Sequence, residues 1–173
     1  MNAILSAWNA ADEDAAMVAL LSCCASQRWA NVVAALRPYA NDEALFEAAD
    51  RVWATMQELD WMEAFRAHPR IGERKAQHAS AQSKQWSNQE QASVDRAQSD
   101  TLAELAAGNA RYEELFGFTY IVCATGKSAD EMLAILQRRL ASDRQAELRE
   151  AAEQQRQITQ IRLRKWLYGG ATI

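Results

Sequence analysis

The sequence predicts an all-α bundle of about seven or eight helices. Three observations lead there. Two prolines and six glycines in 173 residues are too few for a sheet-rich fold with many tight turns. Alanine, leucine, glutamine and glutamate are abundant, and all favour helix. Capping residues stand repeatedly just before apolar residues at helical spacing. The length suits one domain over residues 1–173, and 49% hydrophobic residues with six tryptophans can fill a real core.

In order along the chain, Asn9 or Asp12 caps a first helix that buries Met17, Leu20 and Leu21. Ser26 caps a second, carrying Trp29, Val32, Val33 and Leu36 and ended by Pro38. Asn41 caps a third, with Leu45, Phe46, Ala49, Val52, Trp53 and Met56 on one face. A break near Leu59-Asp60 starts a short helix ending at His68. The polar stretch 70–86 is expected to be a loop. From Ser87 a long helical pattern resumes, with Ala92, Val94, Leu102, Leu105, Ala106, Tyr112 and Leu115 as its apolar face and Gly117 at its C-terminal end. Phe118 to Ala124 is the one β-looking run, and without a partner strand it is expected to lie extended against helices. Ser128 and Glu131 form a capping box for the helix through Met132, Leu136 and Leu140. The last helix starts near Asp143 and carries Leu148, Ala152, Ile158, Ile161, Leu163, Trp166 and Leu167.

Several classes of function are disfavoured. A net charge of −4, with no basic arm, gives no general attraction to nucleic acid. No stretch is long and apolar enough to span a bilayer, so no membrane partner is expected. Asp12, Glu13 and Asp14 stand where a signal peptide would need an apolar run. Cys23, Cys24 and Cys123 are odd in number and two are adjacent, which is not a disulfide framework. A cytoplasmic location follows as the expectation. No H-E-x-x-H is present, neither histidine has a Glu three residues before it, and Gly126-Lys127-Ser128 lacks the first glycine of a phosphate loop. No metal and no cofactor are expected.

The run Phe65 to Gly72 carries the first candidate chemistry. Pro69 must cut the helix, because its ring fixes φ and pushes the residue before it out of the α region. His68 is thereby placed at a helix end, facing a loop. Its ring titrates near neutral pH and can move protons there. A cationic ring also suits a helix C-terminus for purely structural reasons. His78, the other histidine, lies in a polar run without such a setting. The second cluster is Ser87-Asn88-Gln89-Glu90-Gln91. Ser87 with Glu90 reads as a capping box. The same helix N-terminus would offer N–H groups to an anion, and its carboxylate could orient an imidazole.

Taken in order, His68-Pro69-Arg70-Ile71-Gly72, Ser87 to Gln91, Phe116-Gly117-Phe118 to Ala124 with Gly126-Lys127-Ser128, and Ile158 to Leu163 resemble the OHCU decarboxylase family. These enzymes of urate breakdown act on 2-oxo-4-hydroxy-4-carboxy-5-ureidoimidazoline (OHCU). The resemblance runs from the Trp29 helix onward, with a His-to-Glu spacing slightly longer than the family's. It implies an all-helical, cofactor-free carboxy-lyase, commonly a homodimer, that converts OHCU to (S)-allantoin and CO2. It implies a functional link to hydroxyisourate hydrolase, which supplies OHCU. It implies His68 as the acid–base group with Glu90 beside it. Pro69, Ser87, Asn88, Gln89, Glu90, Gln91, Ile121, Val122, Cys123 and Ala124 would line the substrate site. Arg162 matches the family's arginine near the C-terminus, with Arg164 as its rival two residues on. A non-enzymatic helical adaptor and an inactive relative with the same fold are the competing expectations.

Overall fold

The computed structural model describes residues 2–73, 79–94 and 97–169. Among the described residues there are nine helices and no strand: α1 Ala3–Asn9, α2 Glu13–Cys23, α3 Gln27–Ala35, α4 Asp42–Ala54, α5 Glu58–Arg66, α6 Ala81–Glu90, α7 Ser99–Phe116, α8 Ala129–Arg139 and α9 Arg144–Tyr168. The all-α expectation holds, and the helix count exceeds it for two local reasons. Asn2 caps an N-terminal helix of its own, accepting hydrogen bonds from the Ile4 and Leu5 N–H groups. Ser80 starts α6 well before Ser87 by accepting from the Ser83 N–H. The expected loop over 70–86 is therefore helical from Ala81 onward.

The chain divides into two compact units, one of residues 1–64 and 156–173, the other of residues 65–155. In the terminal unit, Asp12, Ser26 and Asn41 each accept from a backbone N–H three residues on, as their positions predict. α2 packs on α3, and α3 on α4. Trp29, Leu20 and Leu45 are wholly buried, and the Trp29 indole donates to the Ala49 carbonyl at 3.0 Å. Val32 and Leu36, expected on the apolar face of α3, stand exposed. The second half of α9 joins this core, with Trp166 edge-on to Trp8 at 5.5 Å and Gln160 donating to the Phe46 carbonyl at 2.9 Å.

Cys24, the C-cap of α2, is almost fully buried. Burial pushes its thiol up to about 11, against smaller opposing effects of hydrogen bonds with the Ser26 backbone and Thr159 and of the Arg162 charge. The folded chain then keeps a proton that the unfolded chain gives up near the ordinary thiol value, so stability must fall as pH rises from about 9 towards 11. Urea unfolding should show about 2 kcal/mol more alkaline loss between pH 8 and 10.5 in wild type than in Cys24→Ala. Equal losses in the two would mean that the thiol ionises normally in the folded protein.

In the middle unit, α7 packs on α8. At Gly108 an added Cβ would lie 2.6 Å from the Leu136 side chain, so glycine permits that close approach. Gly117 ends α7 in the left-handed region at φ +79°, as expected of a C-terminal glycine. The buried face of α7 is Leu105, Asn109, Tyr112 and Phe116. Leu102, Ala106 and Leu115, expected inside, are exposed. Tyr112 centres an aromatic cluster, with ring centroids 4.6 Å from Phe116, 5.7 Å from Phe118 and 5.5 Å from Tyr120. Ser128 and Glu131 make the full capping box of α8, and Asp143 caps α9 by accepting from the Ala146 N–H at 2.9 Å.

Candidate active site

α5 ends at Arg66, and the His68 N–H closes a last turn onto the Phe65 carbonyl at 3.1 Å. Pro69 follows, buried, and the chain turns away at Gly72 with φ +92°. Three side chains hold this corner. Asn109 of α7 donates to the Ile71 carbonyl at 3.0 Å. Gln91 accepts from the Gly72 N–H at 3.0 Å. Glu113 pairs with both ends of the Arg70 guanidinium, at 2.7 and 2.6 Å, and pushes its already high pKa further up. His68 is half-buried, and its Nε2 lies 2.6 Å from Oε1 of Gln155, a fully buried residue of α9.

The expected capping box at Ser87 is overturned. Ser80 takes the N-cap, so Ser87 lies inside α6, buried, and Glu90 is the last residue of the helix. The N–H groups near Ser87 are thus committed to the helix and cannot form an anion site at its start. The α6 period turns Ser83, Trp86 and Ser87 inward, leaves Glu90 half-buried, and sends Asn88 and Gln89 to the surface. Gln91 is half-buried and reaches the His68 corner through Gly72.

Residues 121–124 are buried but form no ladder. Side chains satisfy the backbone instead. Arg139 donates to the Ile121 carbonyl at 2.6 Å, Gln154 accepts from the Cys123 N–H at 2.8 Å, and the Lys127 ammonium donates to the Cys123 carbonyl at 2.8 Å. The segment is neither helix nor ladder, and α8 and α9 hold it without a partner strand among the described residues.

His68, Glu90, Gln91 and residues 121–124 all belong to the middle unit, while Arg162 belongs to the terminal unit. Arg162 is 3% exposed, a buried charge on α9. Arg164 is committed elsewhere: it donates to the Gln160 carbonyl and side chain, at 3.1 and 2.7 Å, and lies 4.3 Å over the Phe46 ring. His78 lies outside the described residues. Among the described residues no three His, Cys, Asp or Glu converge as a metal cage would.

Sequence reasoning missed Gln91's bond to Gly72, Asn109, Glu113, Arg139, Gln154 and Gln155. Their one signal is polar residues falling at inward positions of helices, as at Glu147 and Gln155 on α9, in line with the buried Ala151 between them.

The half-buried imidazole of His68 thus rests on Gln155, and the next residue back along α9, Gln154, holds the backbone of the buried segment 121–124. Residues 9–164 match the sequence model of the OHCU decarboxylase family. The chain belongs to that family. It is 35% identical over 144 residues to the "Uric acid degradation bifunctional protein TTL" of Arabidopsis thaliana, covering 83% of this chain but 44% of that protein. It is 28% identical over 127 residues to the 2-oxo-4-hydroxy-4-carboxy-5-ureidoimidazoline decarboxylase of Haloferax volcanii, covering 73% of each chain. Among solved structures, an OHCU decarboxylase crystallised in the presence of (S)-allantoin aligns with a TM-score of 0.73 and 30% identity, over 85% of this chain and 95% of that one.

Proposed function

We propose that this protein decarboxylates OHCU to (S)-allantoin and CO2, with His68 as the acid–base group. The setting of His68 carries the reading: a titratable ring at a forced helix end, held by a buried glutamine. Loss of CO2 leaves an electron pair on the ring carbon that bears the hydroxyl. The adjacent carbon–nitrogen unit of OHCU takes up that pair and its nitrogen gains a proton from solvent, so the substrate supplies its own electron sink. The enol that results loses its hydroxyl proton and gains one at the neighbouring carbon, and delivery from one face yields (S)-allantoin. His68 exchanges a proton with the hydroxyl or the enol, and Glu90 orients the imidazole or holds the ureido N–H groups. Pro69, the inward residues of 87–91 and the pinned segment 121–124 form the lining.

A homodimer in the cytoplasm, fed by a hydroxyisourate hydrolase, completes the proposal. Two relatives, each a bifunctional protein of uric acid degradation, support the pathway link. The buried cysteines Cys23, Cys24 and Cys123 fit a reducing compartment. The test is to generate OHCU from urate with urate oxidase and hydroxyisourate hydrolase, add the protein, and follow circular dichroism. Enantiopure (S)-allantoin above the spontaneous racemic background is expected. Racemic product at the background rate would favour the adaptor or the inactive relative.

Arg162 is proposed to grip an anionic or carbonyl group of the substrate, a bidentate task that lysine cannot copy. Arg162→Lys should lower kcat/KM by an amount equivalent to about 2–5 kcal/mol. Unchanged kcat/KM, with a comparable loss in Arg164→Lys, would move the role two residues along.

A further inference from the structure

We infer that Gln155 is a positioning residue for His68, fixing which ring nitrogen carries the proton; this rests on the reading of His68 as the acid–base group. Gln155 is 0% exposed, on a face of α9 that also buries Ala151 and Ala152. An apolar residue would fill that place at less cost, because a buried amide must be hydrogen-bonded to be tolerated. Its oxygen lies 2.6 Å from Nε2 of His68, across 87 residues of sequence. A carboxamide oxygen can only accept, so Nε2 must carry the proton and Nδ1 the basic lone pair. The neighbouring Gln154 anchors this part of α9. Its oxygen accepts from the Cys123 N–H at 2.8 Å and its nitrogen donates to Glu150 at 2.9 Å. Adjacent residues of one helix therefore hold both the imidazole and the segment proposed to line the substrate.

Histidine has one neutral tautomer fit for a given proton transfer, and the wrong one presents N–H where a lone pair is needed. Gln155 selects between them before substrate arrives. The reverse pairing, with the amide NH₂ donating to a bare Nε2, would put the proton on Nδ1.

The experiment uses the full chain with ¹⁵N-labelled histidine. Only two histidines are present, and His78→Gln assigns the spectrum. Above the titration range, His68 should show the Nε2–H tautomer in wild type. Gln155→Met, close in volume, should give a mixed or reversed tautomer and lower kcat by about 10- to 100-fold with KM little changed. Gln155→Glu keeps an acceptor and should restore the Nε2–H tautomer and most of kcat, which separates positioning from a general packing role. An Nδ1–H tautomer in wild type, or a Gln155→Met variant with wild-type tautomer and kcat, would overturn the inference. So would Gln155→Glu behaving like Gln155→Met. The tautomer is read without turnover, so wild-type activity in His68→Asn would be recognised separately as failure of the underlying reading.

Discussion

His68→Asn is expected to lower (S)-allantoin formation by a factor of roughly 10²–10⁴, the usual scale for a positioned acid–base group. The protein should remain folded, since one exchanged hydrogen bond costs about 1 kcal/mol. Glu90→Gln sharpens the comparison because Glu90 closes α6 instead of opening it. A carboxylate at a helix C-terminus is opposed by the helix dipole, an effect of about 0.3–1 kcal/mol that neutralising it removes. A purely structural role for Glu90 predicts an unchanged kcat, while a role in the chemistry predicts a reduced kcat in a protein that remains folded. If the two groups act as one unit, the double variant should be little worse than the poorer single one. The measurements are initial rates by circular dichroism and urea midpoints for all four proteins. Wild-type rates in both single variants would remove His68 and Glu90 from the site.

What could be read from the sequence, and what could not, divides along a physical line. Caps and breakers act locally, and Asp12, Ser26, Asn41, Gly117 and the Ser128–Glu131 box all sit where their chemistry predicts. The corner at His68 follows from Pro69 and Gly72 for the same reason. The Ser87–Glu90 pattern failed because Ser80 offers an equally good cap about two turns earlier, and a polar stretch hides a helix that buries only a few residues. The buried faces of α7 and α9 were misread where polar residues occupy them. Asn109 sits inward because it serves the Ile71 carbonyl, and Glu147 and Gln155 because partners distant in sequence await them. Hydrophobic periodicity assigns such residues to the surface. The segment 118–124 looks β-like because its branched and aromatic residues are buried, as a strand's would be; only the folded chain reveals that side chains complete its hydrogen bonds.

Arg139→Met is expected to destabilise the protein by on the order of 3–5 kcal/mol, the largest single effect on stability anticipated here. Arg139 and Glu147 have side chains 4% and 2% exposed and meet at 2.9 Å. The same guanidinium donates to the Ile121 carbonyl at 2.6 Å and to the Tyr112 hydroxyl at 3.3 Å, and the Tyr112 hydroxyl donates to Glu147 at 2.5 Å. It also lies 5.0 Å over the Tyr120 ring. Burial is the main cause driving the Tyr112 phenol far above its ordinary value, so it stays a donor. Removing the arginine strands a buried carboxylate and leaves the Ile121 carbonyl without this donor. Removing both charges, as Arg139→Met with Glu147→Met, deletes the stranded ion and should recover much of the loss, leaving about 1–3 kcal/mol for the carbonyl and hydroxyl. Because Ile121 opens the segment proposed to line the substrate, the double variant should still show a raised KM even where its stability is largely recovered. Urea unfolding and kinetics on wild type and the two variants decide the matter. A single-variant loss below about 1 kcal/mol would mean that water reaches the pair and the network is not the buried anchor described; an unchanged KM in the double variant would free residues 121–124 from dependence on Arg139.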